Sequence, residues 1–146
     1  MLVRMLNLVK LAVGCATVEE LAERQKARAK ADPPLRHQTR SIPRRAGEIV
    51  GRGSIFWVIG GFVQVRQRIT AIEHDVWDDG SPCCALYLDL LLVPVQPRPV
   101  KPFQGWRYLE AAEAPPDLAG HARSSRRGLA LMPARMRREL AELGLL

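Results

Sequence analysis

The sequence has few cysteines, no long apolar run and few aromatic residues. Its three cysteines are Cys15 and the adjacent Cys83 and Cys84. They form no C-x-x-C pair, so neither a disulfide framework nor an ordered zinc spacing is predicted. We expect three free thiols in a reduced, cytoplasmic protein with no metal or other cofactor. No apolar run approaches the roughly 20 residues that a membrane-spanning helix needs. Because Asn7 and Lys10 interrupt the N-terminal apolar run, a signal peptide is not predicted either.

Recognised catalytic motifs are also missing. The chain has no Gly-rich phosphate loop, no Ser-His-Asp layout and no H-E-x-x-H. Cys84 lies in phase with four leucines of a strong strand pattern, which indicates an inert core thiol rather than a nucleophile. The acidic stretch at 73–82 contains metal-ligand residue types, but a solvated turn explains it better. We therefore predict no catalytic residue and no metal ligand, and we expect a protein that is not an enzyme.

What the sequence does have is an unevenly distributed positive charge. The 146 residues carry a formal net charge of +7. Residues 1–52 hold 11 Lys/Arg against 5 acids, residues 53–119 hold 5 against 8, and residues 120–146 hold 6 against 2. Basic ends favour polyanionic partners such as RNA or DNA. A composition that merely keeps the protein soluble explains the charge equally well.

The most informative stretch is 54–72, which reads as a β-hairpin. Two runs of β-branched and aromatic residues meet at Gly60-Gly61, and glycines tolerate the positive φ of tight hairpin turns. Regular pairing across that turn puts Trp57 opposite Gln64. Because side chains alternate between faces, one face then carries Trp57, Gln64, Arg66 and Arg68. The other carries Phe56, Val58, Val63, Val65 and Gln67.

The remaining elements are predicted in chain order. A strand over 6–13 precedes a helix that starts at the Thr17-Val18-Glu19-Glu20 capping box and runs to about Ala31. A polar strand or loop over 35–42, the hairpin and a strong strand over 83–93 follow. A proline-rich connection leads to 103–109, and a terminal helix starts near Pro133. This order predicts an α+β fold with an antiparallel sheet or a small antiparallel β-barrel, one helix after the first strand and one at the C-terminus.

The length fits a single domain over residues 1–146. Within it, residues 121–128 lack an apolar pattern and are predicted to form a flexible basic loop. Met5 directly precedes the first apolar run and is as suitable an initiating methionine as Met1. Residues 1–4 are therefore interpreted as an upstream start.

The candidate binding residues come from the first hairpin face and from two neighbouring segments. A tryptophan beside arginines can stack a base while the guanidinium groups meet phosphates. The spacing alone slightly favours the alternative, in which Trp57 is covered and the arginines form a solvated strand face. The segment at 37–40 could line the same cleft or be an ordinary edge strand, and Trp106 could add a second ring or be a core residue. The candidates are Trp57, Gln64, Arg66, Arg68, His37, Gln38, Thr39, Arg40 and Trp106.

Four segments resemble an alphaproteobacterial family catalogued as domain of unknown function 1489. They are Leu-Asn-Leu-Val-Lys-Leu-Ala-Val-Gly at 6–14, Phe-Trp-Val-Ile-Gly-Gly-Phe-Val-Gln-Val-Arg-Gln-Arg-Ile at 56–69, Arg-Pro-Val-Lys-Pro-Phe-Gln-Gly-Trp-Arg-Tyr-Leu at 98–109 and Leu-Ala-Glu-Leu-Gly-Leu-Leu at 140–146. The resemblance covers nearly the whole chain and implies no stated activity.

The layout also resembles the PUA-like superfamily, especially EVE domains. His37-Gln38-Thr39-Arg40-Ser41 stands where those domains have a polar segment, and Gly53-Ser54-Ile55-Phe56-Trp57 stands at their Gly-Asp-aromatic strand. Ser54 replaces the acid, and the Gly60-Gly61 turn shortens the hairpin. This resemblance implies a barrel with a pocket for a base, often a modified one, bounded by the polar segment and aromatic rings.

Together these patterns predict a non-enzymatic module that binds RNA, DNA or a modified base. In this hypothesis Trp57 and Trp106 stack, amide and hydroxyl groups bond to a base edge, and Arg40, Arg66 and Arg68 meet phosphate. The alternative is a protein–protein adaptor whose basic ends dock an acidic partner. A small hydrolase or nuclease is disfavoured because no motif places an acid–base pair.

Overall fold

The computed structural model describes residues 5–118. This part of the chain contains six strands and a single α-helix, with short 3-10 turns at Ala46–Glu48 and Ala111–Glu113. The elements are β1 (Leu6–Leu11), α1 (Val18–Ala31), β2 (Arg36–Thr39), β3 (Ser54–Ile59), β4 (Phe62–Val76), β5 (Pro82–Pro99) and β6 (Trp106–Glu110). The predicted upstream start, the basic loop at 121–128 and the terminal helix lie outside the described residues.

The six strands form one mixed sheet in the order β2-β5-β4-β3-β1-β6. Neighbouring strands are antiparallel except β1 and β3, which pair in parallel, with Leu8 beside Ile55. Two parallel strands must be joined by a crossover connection. The crossover from β1 to β3 contains α1 and β2. The predicted small antiparallel β-barrel does not form in this part of the chain, because the sheet is mixed and it is not closed. The fold is mostly β.

The open sheet is nevertheless strongly curled. β2 and β3 are separated by β5 and β4, yet the rings of His37 and Trp57 meet with centroids 5.2 Å apart. In a flat sheet, strands three places apart would lie about 14 Å from each other. The two edges also approach each other, since the Trp106 indole donates to the Ser41 carbonyl and the Arg45 amide donates to the Tyr108 hydroxyl. Side-chain bonds, rather than a backbone ladder, thus span the gap between β2 and β6.

The sheet is buried on both faces. We call the side covered by α1 the inner face; it packs Leu8, Ile55, Trp57, Val65 and Leu86 against Val18 and Leu21 of the helix. The outer face packs Val9, Phe56, Val58, Val63 and Val95, and the chain after β5 covers it through Val100, Phe103 and Ala114. All six residues of β3 are buried as a result.

The hairpin forms as predicted, but its register is different. β3 and β4 are antiparallel, Ile59 pairs with Phe62, and both turn glycines have positive φ, 62° and 84°. A β-bulge at Gln64 then places Trp57 opposite Val65 and Ile55 opposite Gln67. The predicted pairing of Trp57 with Gln64 is therefore wrong. Just beyond the bulge, the side chains of Val65, Arg66, Gln67 and Arg68 therefore point to the faces opposite those predicted.

The first helix begins and ends where its sequence signals predict. The Thr17 hydroxyl accepts from the Glu20 amide at 3.1 Å, and the Glu20 carboxylate accepts from the Ala16 amide at 3.1 Å. These two bonds satisfy amides that the first helical turn leaves unpaired. Arg24 then ties the helix to the turn after β1 by donating to the carbonyls of Val13 and Gly14. The helix is thereby held over the inner face.

Candidate binding site under helix α1

A cavity of about 180 Å³ lies between α1 and the inner face of the curled sheet. Strands β1, β2 and β3 supply one side and the helix supplies the other. We call it the α1 cavity, and it is lined by Lys10, Ala12, Val13, Cys15, Leu21, Arg24, Gln25, Arg28, Leu35, Arg36, His37, Trp57 and Leu88. Apolar side chains and a few polar groups alternate around it, which is the usual composition of a small-molecule site.

His37 contributes the most unusual polar atom of the cavity. Its ring meets Trp57 edge to face at an interplanar angle of 89°. Its Nε2 atom is buried and has no hydrogen-bond partner within residues 5–118. Burial, reinforced by the positive charges of Lys10 and Arg28, lowers the pKa of His37 to about 4. The imidazole is therefore neutral at pH 7, and a buried polar atom without a partner is costly unless a ligand or water satisfies it.

The charged side chains around the cavity are all cations. No carboxylate from the described part of the chain lines it. In the part of the chain that the structure describes, Lys10 and Arg28 form no ion pair, whereas Arg36 is paired with Asp32 and Asp75. Burial lowers the pKa of Lys10, which still carries no compensating acid. Positive charge that is partly desolvated and unneutralised attracts anions.

A closed hydrogen-bond network forms the boundary of the cavity near Trp57. The Trp57 indole Nε1 donates to Oε1 of Gln67 at 3.1 Å. The amides of Gln67 and Gln25 bond reciprocally, at 2.9 Å and 2.8 Å, and Nε2 of Gln67 also donates to the Asp89 carbonyl at 2.7 Å. Both donors and both acceptor positions of the Gln67 amide are thus satisfied. The network links the helix to the central strands.

Of the nine predicted binding residues, the structure brings His37 and Trp57 together in the cavity. Trp57 is only 3% exposed, so it forms part of the wall rather than an open stacking platform. Gln64 is the bulge residue, and its amide donates to the Ile59 carbonyl instead of facing the cavity. Because of the bulge, Arg66 and Arg68 pair with Phe56 and Ser54 on the outer face. The predicted shared platform of Trp57, Gln64, Arg66 and Arg68 therefore does not form.

Arg66 has a structural partner on the outer face. Its guanidinium makes two bonds to the Asp117 carboxylate, at 2.7 Å and 2.8 Å, and a third to the Ser54 hydroxyl at 3.1 Å. Asp117 belongs to the segment that returns over the outer face and bridges to Val95. Paired in this way, Arg66 holds that segment on the sheet.

The other predicted residues lie away from the cavity. Gln38 donates to the Asp75 carboxylate and the Val76 carbonyl, which joins β2 to the end of β4. Thr39 is buried and Arg40 is exposed beyond β2. Trp106 packs edge to face on Tyr108, with ring centroids 5.0 Å apart. These four side chains line neither the cavity nor one common surface with Trp57.

The sequence interpretation missed Lys10, Arg24, Gln25, Arg28 and Gln67. Gln67 did give a signal, because it was predicted to share a face with four apolar residues, where a buried amide needs a specific partner. The cations gave no sequence signal other than the excess of Lys and Arg in the N-terminal third of the chain. Arg24 and Arg28 are one helical turn apart and so share a helix face, but their proximity to Lys10 depends on where α1 packs.

The three cysteines are free thiols. Cys15 is half-buried and lines the α1 cavity. Cys83 and Cys84 are buried in β5, and burial raises the pKa of both, for Cys84 to about 11. These two thiols are therefore unreactive at neutral pH.

Residues 5–118 contain neither a group of side chains suited to hold a metal ion nor an apolar helix long enough to cross a membrane. Comparison with known families gives one match: the model of the family described as Protein of unknown function (DUF1489) matches residues 8–146. No curated protein and no solved structure matches the chain.

Proposed function

We propose that this chain, which belongs to the DUF1489 family, is a non-enzymatic module that binds single-stranded nucleic acid by taking one base into the α1 cavity. The observation that carries the proposal is the buried Nε2 atom of His37, which has no partner among the described residues, in a cavity whose described charged lining is cationic. In this proposal the base displaces the side chains that cover Nε2 and bonds to the imidazole, and Arg28 and Lys10 meet the adjoining phosphates.

The size of the cavity supports a single ring as its occupant. Sites for drug-sized ligands usually measure about 300–1,000 Å³, whereas the α1 cavity measures about 180 Å³. A base fits such a volume while the sugar and phosphates remain outside. The cations stand where those phosphates would lie, since Arg24 and Arg28 are exposed on the helix beside the cavity.

The chemistry of His37 supports binding rather than catalysis. A general base works best when its pKa lies near the working pH. With a pKa of about 4, His37 would be a weak base at pH 7. A neutral imidazole can still donate or accept one hydrogen bond at Nε2, which is what base recognition requires.

A matched pair of arginine variants tests the phosphate contacts. Arg28 and Arg68 are both exposed, and neither forms an ion pair within the described residues, but Arg28 borders the cavity and Arg68 lies on the outer face. Binding of a labelled 12-nucleotide RNA or DNA is followed by fluorescence anisotropy at several salt concentrations. We expect Arg28→Ala to weaken binding and to reduce the log–log salt slope by about one. Arg68→Ala should change neither quantity.

Two outcomes would contradict the proposal. One is the absence of binding to both RNA and DNA at low salt. The other is binding that Arg28→Ala and Arg68→Ala weaken equally, because that result would indicate general attraction to a basic surface. Oligonucleotide binding that neither Arg28→Ala nor Arg68→Ala weakens would depend on other parts of the chain. It would favour the alternative in which the basic ends act as a protein–protein adaptor.

A further inference from the structure

Gln67 is held in one defined orientation. Its side chain is fully buried in the middle of β4. The Trp57 indole can only donate, so the atom it contacts on Gln67 must be the carbonyl oxygen. The Asp89 carbonyl can only accept, so the atom facing it must be the amide nitrogen. These two contacts fix the amide, and they leave one donor and one acceptor side by side towards α1.

Gln25 occupies that donor–acceptor pair. Its own amide bonds to Gln67 in both directions, at 2.9 Å and 2.8 Å. The Watson–Crick edge of an unstacked nucleobase offers a similar combination of a donor next to an acceptor. The contact between Gln25 and Gln67 therefore has the hydrogen-bonding pattern of a glutamine–base pair.

We propose that Gln67 reads the Watson–Crick edge of the bound base, and that Gln25 occupies this position when no base is present. The inference rests on the proposed function, because Gln25 lines the α1 cavity and Gln67 lies behind it, where a base in the cavity reaches it once Gln25 has moved. Gln67 would be the specificity residue, and Gln25 its internal competitor.

The surroundings of the two residues decide which one moves. Gln67 is enclosed by the sheet, whereas Gln25 lies on α1 and is only partly buried. Gln25 also lines a second groove of about 550 Å³, which runs between the helix and Leu90 and Leu92 of β5. A rotamer change can take the Gln25 side chain into that groove. The exchange costs little, since two hydrogen bonds to Gln25 are replaced by two to the base.

The test compares oligonucleotides that differ only at the base edge. Binding is measured by anisotropy for 12-nucleotide homopolymers of the four bases, as RNA and as DNA. The tightest of these is then compared with the same oligomer methylated at the ring nitrogen of its Watson–Crick edge. We expect methylation to weaken binding by about tenfold or more, because it blocks one of the two bonds to Gln67. Gln67→Met should bind both oligomers alike.

The variant Gln25→Ala provides a second readout, and it leaves the bonds of Gln67 to Trp57 and to Asp89 in place. If Gln25 competes with the base, its removal should tighten binding to the unmethylated oligomer by about three- to tenfold. Lys26→Ala is the control, since Lys26 is the next residue of the helix and lines the groove but not the cavity; it should not tighten binding. Equal binding of methylated and unmethylated oligomers, or weaker binding by Gln25→Ala, would overturn this inference alone. Failure of the wild-type protein to bind any oligomer would overturn the proposed function as well.

Discussion

The two faces of the sheet use the same strands for different purposes. On β4, Arg66 and Gln67 are neighbours, yet Arg66 faces outward to Asp117 and Gln67 faces inward to Trp57 and Gln25. The outer face neutralises this charged residue and uses it to hold a returning segment of chain. Within residues 5–118, the inner face leaves Lys10 and Arg28 without an acid and one imidazole nitrogen without a partner. Cations of similar chemistry thus stabilise the structure on one face and remain available to a ligand on the other.

The largest expected change in stability tests whether Trp57 is a buried residue of the cavity wall or part of an exposed stacking surface. Trp57→Ala should destabilise the fold by about 3–5 kcal/mol, because it removes a buried aromatic side chain and leaves Gln67 without one donor. Chemical denaturation of the variant beside the wild type measures this loss. Arg68→Ala on the outer face is the control and should be nearly neutral. If Trp57→Ala cost less than about 1 kcal/mol, the ring would be exposed rather than part of the wall.

Lowering the pH should reduce the stability of the fold, because His37 is buried on the inner face in its neutral form. The folded-state pKa of about 4 lies below the ordinary value of 6.5, so the unfolded chain binds a proton more readily. The stability associated with neutral His37 is complete above pH 6.5 and is lost as the pH falls towards 4. At pH 5 the loss should be about 2 kcal/mol relative to pH 7.

His37→Gln tests the origin of that loss, because the variant cannot titrate there. Denaturation midpoints of both proteins at pH 7 and pH 5 give the comparison, and groups common to both proteins largely cancel. The variant should lose about 2 kcal/mol less than the wild type over this interval. Equal losses in the two proteins would mean that His37 is not buried in its neutral form.

On the outer face, Asp117→Asn should destabilise the protein by about 1–2 kcal/mol. The substitution keeps the size of the side chain but removes the charge that both Arg66 bonds use. The ion pair is only partly buried, with side chains 29% and 24% exposed, so we expect less than the cost of breaking a fully buried pair. Denaturation measures the change. Oligonucleotide binding should stay unaltered, and a parallel loss of affinity would place the binding site on the wrong face.

The smallest effect is kinetic and concerns the thiols. Cys15 lines the α1 cavity, whereas Cys83 and Cys84 are buried with raised pKa values. A thiol-reactive disulfide reagent should therefore modify Cys15 first in the native protein. Saturation with a bound oligonucleotide should slow this modification several-fold. Labelling of Cys15 at an unchanged rate in the saturated complex would show that the ligand leaves the cavity open.

Local signals in the sequence predicted local structure well. The capping box at Thr17 predicted the start of α1, and the helix ends at Ala31 as predicted. The Gly60-Gly61 turn predicted the hairpin, and the run of leucines predicted β5, which extends further than expected to Pro99. Four family-like segments predicted membership of the DUF1489 family, which the family match confirms. Each of these signals depends on residues close together in the chain.

The register of the hairpin could not be predicted from the same pattern. Alternation fixes a register only when one face of a strand is apolar and the other is polar. Both faces of β3 are buried, so Val63 and Val65 could each serve either core. The bulge at Gln64 sends Val63 to the outer core and Val65 to the inner one. Arg66 and Arg68 consequently moved away from Trp57, and the predicted platform was lost.

The sequence by itself therefore determined the helix, the turn, the strand-forming segments and the excess of cations, because propensity, capping and charge are local or additive properties. Only the tertiary structure decided that the β1–β3 pairing is parallel, that the sheet curls without closing, and that His37 meets Trp57 under α1. These contacts join residues 20 positions or more apart in the chain. They depend on how two buried cores share the same strands, and no short segment of the sequence encodes that choice.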